Sequence, residues 1–308
     1  MDDRLGSLIP QPVSVRPRAG TLALATQPEI LPAGNGDRAA TVAAATAVHH
    51  LLSRLPWPVG PLAPGPRSAV TVRIDAALGP EAYRLGIEPD GIAIDAGDPA
   101  GASYAAQTIR QLLPHDAWRA APLTPAAPLM SARALTSATA RTPGSGTSDW
   151  ELPCAEIDDK PALSWRGAHI DVARHFVTKR ELLALIDALA ALKLNRLHLH
   201  LTDDQGWRIE SRLHPRLHEI GSHRARTRIS LNDELPQVYE DIPHGGYYTL
   251  DDLAEIAVYA GQLGMALVPE IDLPGHCAAL LAAYPELGSG PAPAGGYEVS
   301  ADWGIFPH

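Results

Sequence analysis

Seven polar residues stand where three apolar runs give way to turns. They are Asp171 and Arg174 in "WRGAHIDVAR", Asp203 and Asp204 in "NRLHLHLTDD", and Glu270, Asp272 and His276 in "LVPEIDLPGH". Their types point to a limited chemistry. An arginine fork among carboxylates can hold vicinal hydroxyls by charge-assisted hydrogen bonds, and a histidine beside a carboxylate can keep a proton donor oriented. Gathered in one place, they would make a carbohydrate site. Trp207 and Trp303 follow in nearby loops, where an indole face can carry the C–H surface of a sugar ring or simply pack the loop.

Taken singly, each residue has a plainer role open to it. Asp171 with Arg174 can be a structural ion pair, Asp203 can cap a turn, and His198 and His200, alternating with leucines, can fill a barrel interior. The same His-x-His could supply two ligands to a metal-dependent hydrolase, although "TDDQGW" after it suits sugar binding better. Cys277 directly follows His276, which invites a thiol-nucleophile reading. Side chains adjacent in sequence seldom face each other, so a packed thiol is expected. Cys154 is the other cysteine, and two are too few for a disulfide framework.

The elements that must position these residues alternate in type. A strand is expected in 165–174, then a helix over 178–194 opened by a capping box of Thr178 and Glu181. Next come a strand in "NRLHLHLTDD", a long polar loop, and a helix over 249–264 with Thr249 as cap and Gly264 as stop. "MALVPEID" is a third strand. Alternating strands and helices predict a parallel sheet, and the polar residues at all three strand ends favour a (β/α)₈ barrel, whose catalytic groups gather at the carboxyl ends of its strands. Three strands cannot close one. A barrel takes about 250 residues, so the expectation for 151–308 is the first part of one.

The preceding residues, 1–150, read as a small α+β domain. "DRAATVAAATAVHHLLSRL" (37–55) spaces Val42, Val48, Leu52 and Leu55 as a helix would. "SAVTVRIDAAL" is a strand candidate, and "YRLGIEPDGIAIDA" places a Pro-Asp-Gly turn between two alternating runs, the mark of a hairpin. A helix follows, ending before Pro114. Strands followed by a helix without crossover units predict an antiparallel sheet with helices on one face. From 114 to 163 the chain is rich in Pro, Ala, Ser, Thr and Gly, and the domain junction is placed there.

Composition excludes some partners. The net charge of −10 comes from 35 acidic against 25 basic residues, and no basic face suited to a phosphate backbone stands out, so nucleic acid is not expected. The short "HRARTR" (223–228) is expected on a solvated loop. No apolar run is long enough to cross a bilayer, and the amino terminus lacks a signal-peptide pattern, so the chain as written is expected to be cytoplasmic. A start site placed too far downstream would hide such a signal.

"WRGAHIDVARHF", "LNRLHLHLTDDQGWRIE", "GYYTLDDLAEIAVYA" and "LVPEIDLPGH" together resemble the successive motifs of glycoside hydrolase family 20, the β-N-acetylhexosaminidases. The region before residue 160 resembles, less strongly, the small domain that precedes the family's barrel. The resemblance implies that Arg174 binds hydroxyls of a terminal GlcNAc or GalNAc, that Asp203 and His276 support the general acid, and that Glu270 and Asp272 line the pocket. It implies retention of configuration, with the substrate's own acetamido oxygen as nucleophile, and neither metal nor organic cofactor. The family's Asp-Glu pair, the acetamide-orienting residue and the acid, belongs to a "GGDE"-like motif on the next strand. No such motif occurs in residues 1–308. The chain alone is therefore expected to be inactive, and a non-catalytic carbohydrate-binding remnant is the competing reading.

Overall fold

The structure, a computed structural model, describes residues 2–24, 28–34, 36–55, 69–114, 150–231 and 234–304. It is a mixed α/β protein that divides into two compact units. The first comprises 1–166, 187–195 and 262–265, and the second 167–186, 196–261 and 266–308.

The first unit is built on a six-stranded sheet: β1 (Ser14–Leu24), β2 (Glu29–Pro32), β3 (Ala69–Ile74), β4 (Tyr83–Glu88), β5 (Gly91–Ala96) and β6 (Trp150–Asp159), in the order β1-β6-β4-β5-β3-β2. Pro89 and Asp90 turn the expected β4–β5 hairpin, with Glu88 opposite Gly91. The sheet is mixed, which corrects the expected antiparallel one: β3 runs parallel to β5, and β2 parallel to β3. Helix α1 (Arg38–Ser53) lies between β2 and β3 in sequence and supplies the crossover that parallel neighbours require.

Asp37 caps α1, accepting from the amides of Ala39 and Ala40 at 2.9 and 3.1 Å. Val48, Leu51, Leu52 and Leu55 are buried, whereas Val42, expected on the same face, is exposed. Asp98 caps α2 (Pro99–Leu112), accepting from Gly101 N at 2.8 Å. Gly101 itself is a packing requirement, since a Cβ there would stand 2.3 Å from the carbonyl of Ala82. Both cysteines are free.

The expected junction at 114–163 contains β6, which pairs over most of its length with β1 and over its second half with β4. The expected division at 150/151 falls at the first residue of that strand. Residues 115–149 lie outside the described residues.

The second unit holds a three-stranded parallel sheet of β7 (Gly167–Asp171), β8 (Arg196–His200) and β9 (Ala266–Glu270), ordered β9-β8-β7. Helix α3 (Lys179–Ala191) begins after β7 and α4 (Leu250–Gln262) precedes β9. Both helices open with reciprocal caps. Glu181 accepts from Thr178 N at 2.9 Å, and Asp252 N donates to Thr249 Oγ1 at 3.0 Å while Asp252 accepts from Thr249 N at 3.1 Å. A short helix, α5 (Ala278–Ala283), follows β9. Among the described residues no helix is long and apolar enough to cross a membrane.

Candidate active site

The turn after β7 aims Arg174. Asp171 Oδ1 accepts from the amides of Ala173 and Arg174 at 3.0 and 2.9 Å, and Oδ2 accepts from Arg174 Nη1 at 2.8 Å. The other end of the guanidinium, Nη2, lies 2.7 Å from Asp203 Oδ2. Arg174 is thus clamped between a half-exposed and a buried carboxylate.

Asp203 is the meeting point of the site. Its side chain is fully buried, and its Oδ2 also lies 2.7 Å from His200 Nε2. Its Oδ1 accepts from Asp204 N at 2.7 Å and stands 3.2 Å from His276 Nδ1. Asp204 completes the grip on that histidine, with Oδ2 3.1 Å from Nδ1 and Oδ1 accepting from Ala278 N at 2.9 Å. His276 adopts φ = +51°, a left-handed conformation that costs a non-glycine residue energy and recurs at functional sites. Nε2 of His276 makes no hydrogen bond to a described residue.

Glu270, at the end of β9, lies beside two imidazoles, its Oε2 2.7 Å from His198 Nε2 and 2.9 Å from His200 Nδ1. His200 is therefore held between two carboxylates. The Asp203 contact, opposed by burial and helped by Glu270, raises its pKa to about 9, so the ring is an imidazolium at neutral pH. The contact with His200 in turn holds the Glu270 carboxyl below its ordinary range. Asp272 joins through its amide, which donates to Thr202 Oγ1 at 2.9 Å. Three sets of side chains bring metal-ligating atoms within 4.8 Å of one another: His169, His200 and Glu270; His200, Asp203 and Asp272; Asp203, Asp204 and His276.

Arg174, Asp203, Glu270 and His276, each singled out in the sequence, thus share one network. His200 lies at its centre. Its H-x-H alternation was the available signal, and two-residue periodicity does put both rings on one face. Arg208 was missed altogether. It is fully buried, and its guanidinium donates to the carbonyls of Val172, Ala173, Gln205, Ser222 and Gly246.

One open alternative is decided and one expectation is overturned. Trp207 packs its loop and offers no face to a sugar, because it is buried in a small core with Leu217, Ala279 and Ala283, its Nε1 donating to Ile209 O at 2.8 Å. Nor is "HRARTR" a solvated loop, since Arg224 and Arg228 are buried. Arg224 Nη1 donates to Gln205 O at 3.0 Å and Arg228 Nη2 to Leu231 O at 2.6 Å. Backbone carbonyls, which a charge pattern does not reveal, take them in. Cys277 is a packed thiol as expected, its pKa raised by burial and by Asp204. A pocket of about 540 Å³ elsewhere in this unit, with Arg226, Tyr297 and Asp302 in its lining, includes none of Arg174, Asp203, Glu270 and His276. It lacks their convergence of charges.

Comparison with known families bears on what this network belongs to. The model for "Glycosyl hydrolase family 20, catalytic domain" matches residues 163–307, and that for "Glycosyl hydrolase family 20, domain 2" matches residues 6–160. The chain belongs to glycoside hydrolase family 20. A β-N-acetylhexosaminidase of Cellulomonas fimi is 35% identical over 286 residues, 91% of this chain and 49% of that protein. A β-hexosaminidase of Akkermansia muciniphila is 37% identical over 213 residues, covering 69% of this chain and 35% of its own length. Among solved structures, the N-acetyl-β-hexosaminidase of Streptomyces plicatus in complex with Thio-NAglucal aligns with a TM-score of 0.68 at 32% identity, over 98% of this chain and 52% of that one. The chain spans about half or less of the length of these relatives. The α+β unit and the parallel strands are accordingly those of a family member with an amino-terminal domain and part of a TIM barrel.

Proposed function

We propose that this chain carries the hydroxyl-binding and acid-supporting part of a β-N-acetylhexosaminidase site, acting on terminal GlcNAc or GalNAc. One observation carries the reading: the buried Asp203 carboxylate joins Arg174, at 2.7 Å, to His276, at 3.2 Å. Two of the five N–H groups of Arg174 are used on carboxylates, which leaves others for vicinal hydroxyls. His276, fixed through Nδ1, presents Nε2 as the nitrogen able to orient a proton donor. Glu270 and Asp272 would line the same pocket.

In this proposal cleavage is retaining and substrate-assisted, with the acetamido oxygen as nucleophile. The acid and the acetamide-orienting aspartate are not among residues 1–308, where no "GGDE"-like motif occurs. General acid catalysis commonly contributes about 10²- to 10⁴-fold in rate, so the 308-residue chain is expected to bind GlcNAc without hydrolysing a chromogenic β-GlcNAc substrate above background. Ligand-observed NMR with GlcNAc tests the binding, which Arg174→Ala should abolish. Clear turnover by the purified chain would refute the inactivity, and no binding, or binding indifferent to Arg174, would refute the site.

A further inference from the structure

The chain just before α4 presses back on the turn that carries Arg174. Residues 244–248 meet residues 175–177 at several points. The amide of Phe176 donates to His244 Nε2 at 2.8 Å. The His244 ring stacks on exposed His175, with centroids 4.1 Å apart and 28° between the ring planes. The Phe176 ring lies 5.0 Å from that of Tyr248, and against Gly246, where a Cβ would collide with it. Tyr248 Oη donates to the carbonyl of Val177.

The first of these contacts dictates a protonation state. An imidazole nitrogen accepts an N–H only through its lone pair, so the His244 ring is neutral with its proton on Nδ1. Its surroundings enforce that form. His244–Gly245 pairs antiparallel with His223–Arg224, which sets Arg224 opposite His244, and the His223 ring lies beside Gly245. Burial first, then Arg224, His175 and Arg208, lower the His244 pKa to about 4. The charged groups acting on the ring are thus all basic. A protonated Nε2 would aim its own N–H at the amide of Phe176, and the bond that holds the turn would become a repulsion.

On the near side of the turn, Asp171 accepts from the amides of Ala173 and Arg174. A carboxylate therefore pins the backbone at Arg174 and an imidazole pins it two residues later. Held at both places, the guanidinium reaches Asp203 at 2.7 Å.

We propose that His244 is a positioning residue for Arg174: as a neutral acceptor it locks the turn after β7 and keeps the guanidinium directed at the sugar hydroxyls. Its consequence for the sugar rests on the reading of Arg174 given above, whereas the lock itself does not.

Nitrogen-15 NMR of the untagged chain reads the lock without sugar. The His244 ring should carry its proton on Nδ1 at neutral pH and titrate at about 4. His244→Leu keeps bulk and deletes the acceptor, whereas His244→Gln can place Oε1 where Nε2 stood. With leucine the Phe176 amide should exchange with deuterium about tenfold faster and GlcNAc affinity should fall about tenfold, the scale of one buried hydrogen bond. The Arg174 Nε–Hε resonance should broaden at the same time, and glutamine should restore all three. Circular dichroism verifies that each variant is folded. A ring protonated on Nε2 at neutral pH would overturn the assignment without any substitution. So would wild-type amide exchange in the folded leucine variant, a glutamine variant that restores nothing, or an unlocked turn with unchanged GlcNAc affinity. If the wild type binds no GlcNAc, the hydroxyl-binding reading fails, while the amide exchange and the Arg174 resonance still decide whether His244 holds the turn.

Discussion

His200 shows how much a single ring can depend on its surroundings. Its folded pKa of about 9 lies above the ordinary value of about 6.5. Below about pH 6.5 the ring is charged both folded and unfolded, so its pairing with Asp203 and Glu270 contributes fully; as pH rises through 9 the folded ring loses its proton and the contribution goes with it. Stability should therefore fall between pH 6.5 and 9, by on the order of 3 kcal/mol, as read from urea midpoints. A ring pKa near 7 in an NMR titration would show this to be wrong, and Asp203→Asn should lower the value toward normal. Arg208 makes a different kind of contribution: burial lowers its pKa to about 9, and its hydrogen bonds go only to carbonyls. Replacing it with Met strands several buried acceptors and should cost about 2–4 kcal/mol, measured by denaturation; a loss under about 1 kcal/mol would mean that water replaces it. The residue types at the strand ends disclosed Arg174, Asp203 and His276, because polar groups after apolar runs are conspicuous. Arg208 was hidden because its partners are backbone atoms, which have no letter in a sequence.

At the scale of elements, local chemistry was legible wherever it is self-contained. The capping boxes at Thr178 and Thr249, the Pro-Asp-Gly hairpin and the glycine stop at Gly264, which has φ = +79°, all depend on residues within a few positions of one another. Thr178→Ala should accordingly destabilise the protein by about 1 kcal/mol. If the melting temperature is unchanged, the bonds between Thr178 and Glu181 add nothing in water. Strands β1 and β6 were not legible. Pro17 and Gly20 break the pattern of β1, whose pairing with β6 shifts register between Pro17 and Thr21, and Pro153 interrupts β6. Their pairing is a property of two segments more than a hundred residues apart, and neither segment announces it alone.

At the scale of the molecule, alternating strands and helices sufficed to predict the parallel sheet of the second unit, because each crossover carries its own helix. The mixed sheet of the first unit was misread because only one of its parallel pairs has a helix between its strands in sequence. The carbonyls held by Arg208 come from the ends of β7 and β8, the loop at Ser222 and the approach to α4 at Gly246. Gly206 lies against the guanidinium, where a Cβ would come within 2.3 Å of it. One side chain thereby ties together segments that the chain visits at widely spaced times. Their amides should exchange with deuterium as a single cooperative group, opening together and not loop by loop. In Arg208→Met the same amides should exchange at separate rates, and native-state exchange resolved by peptide would reveal the difference even under conditions where both proteins remain folded.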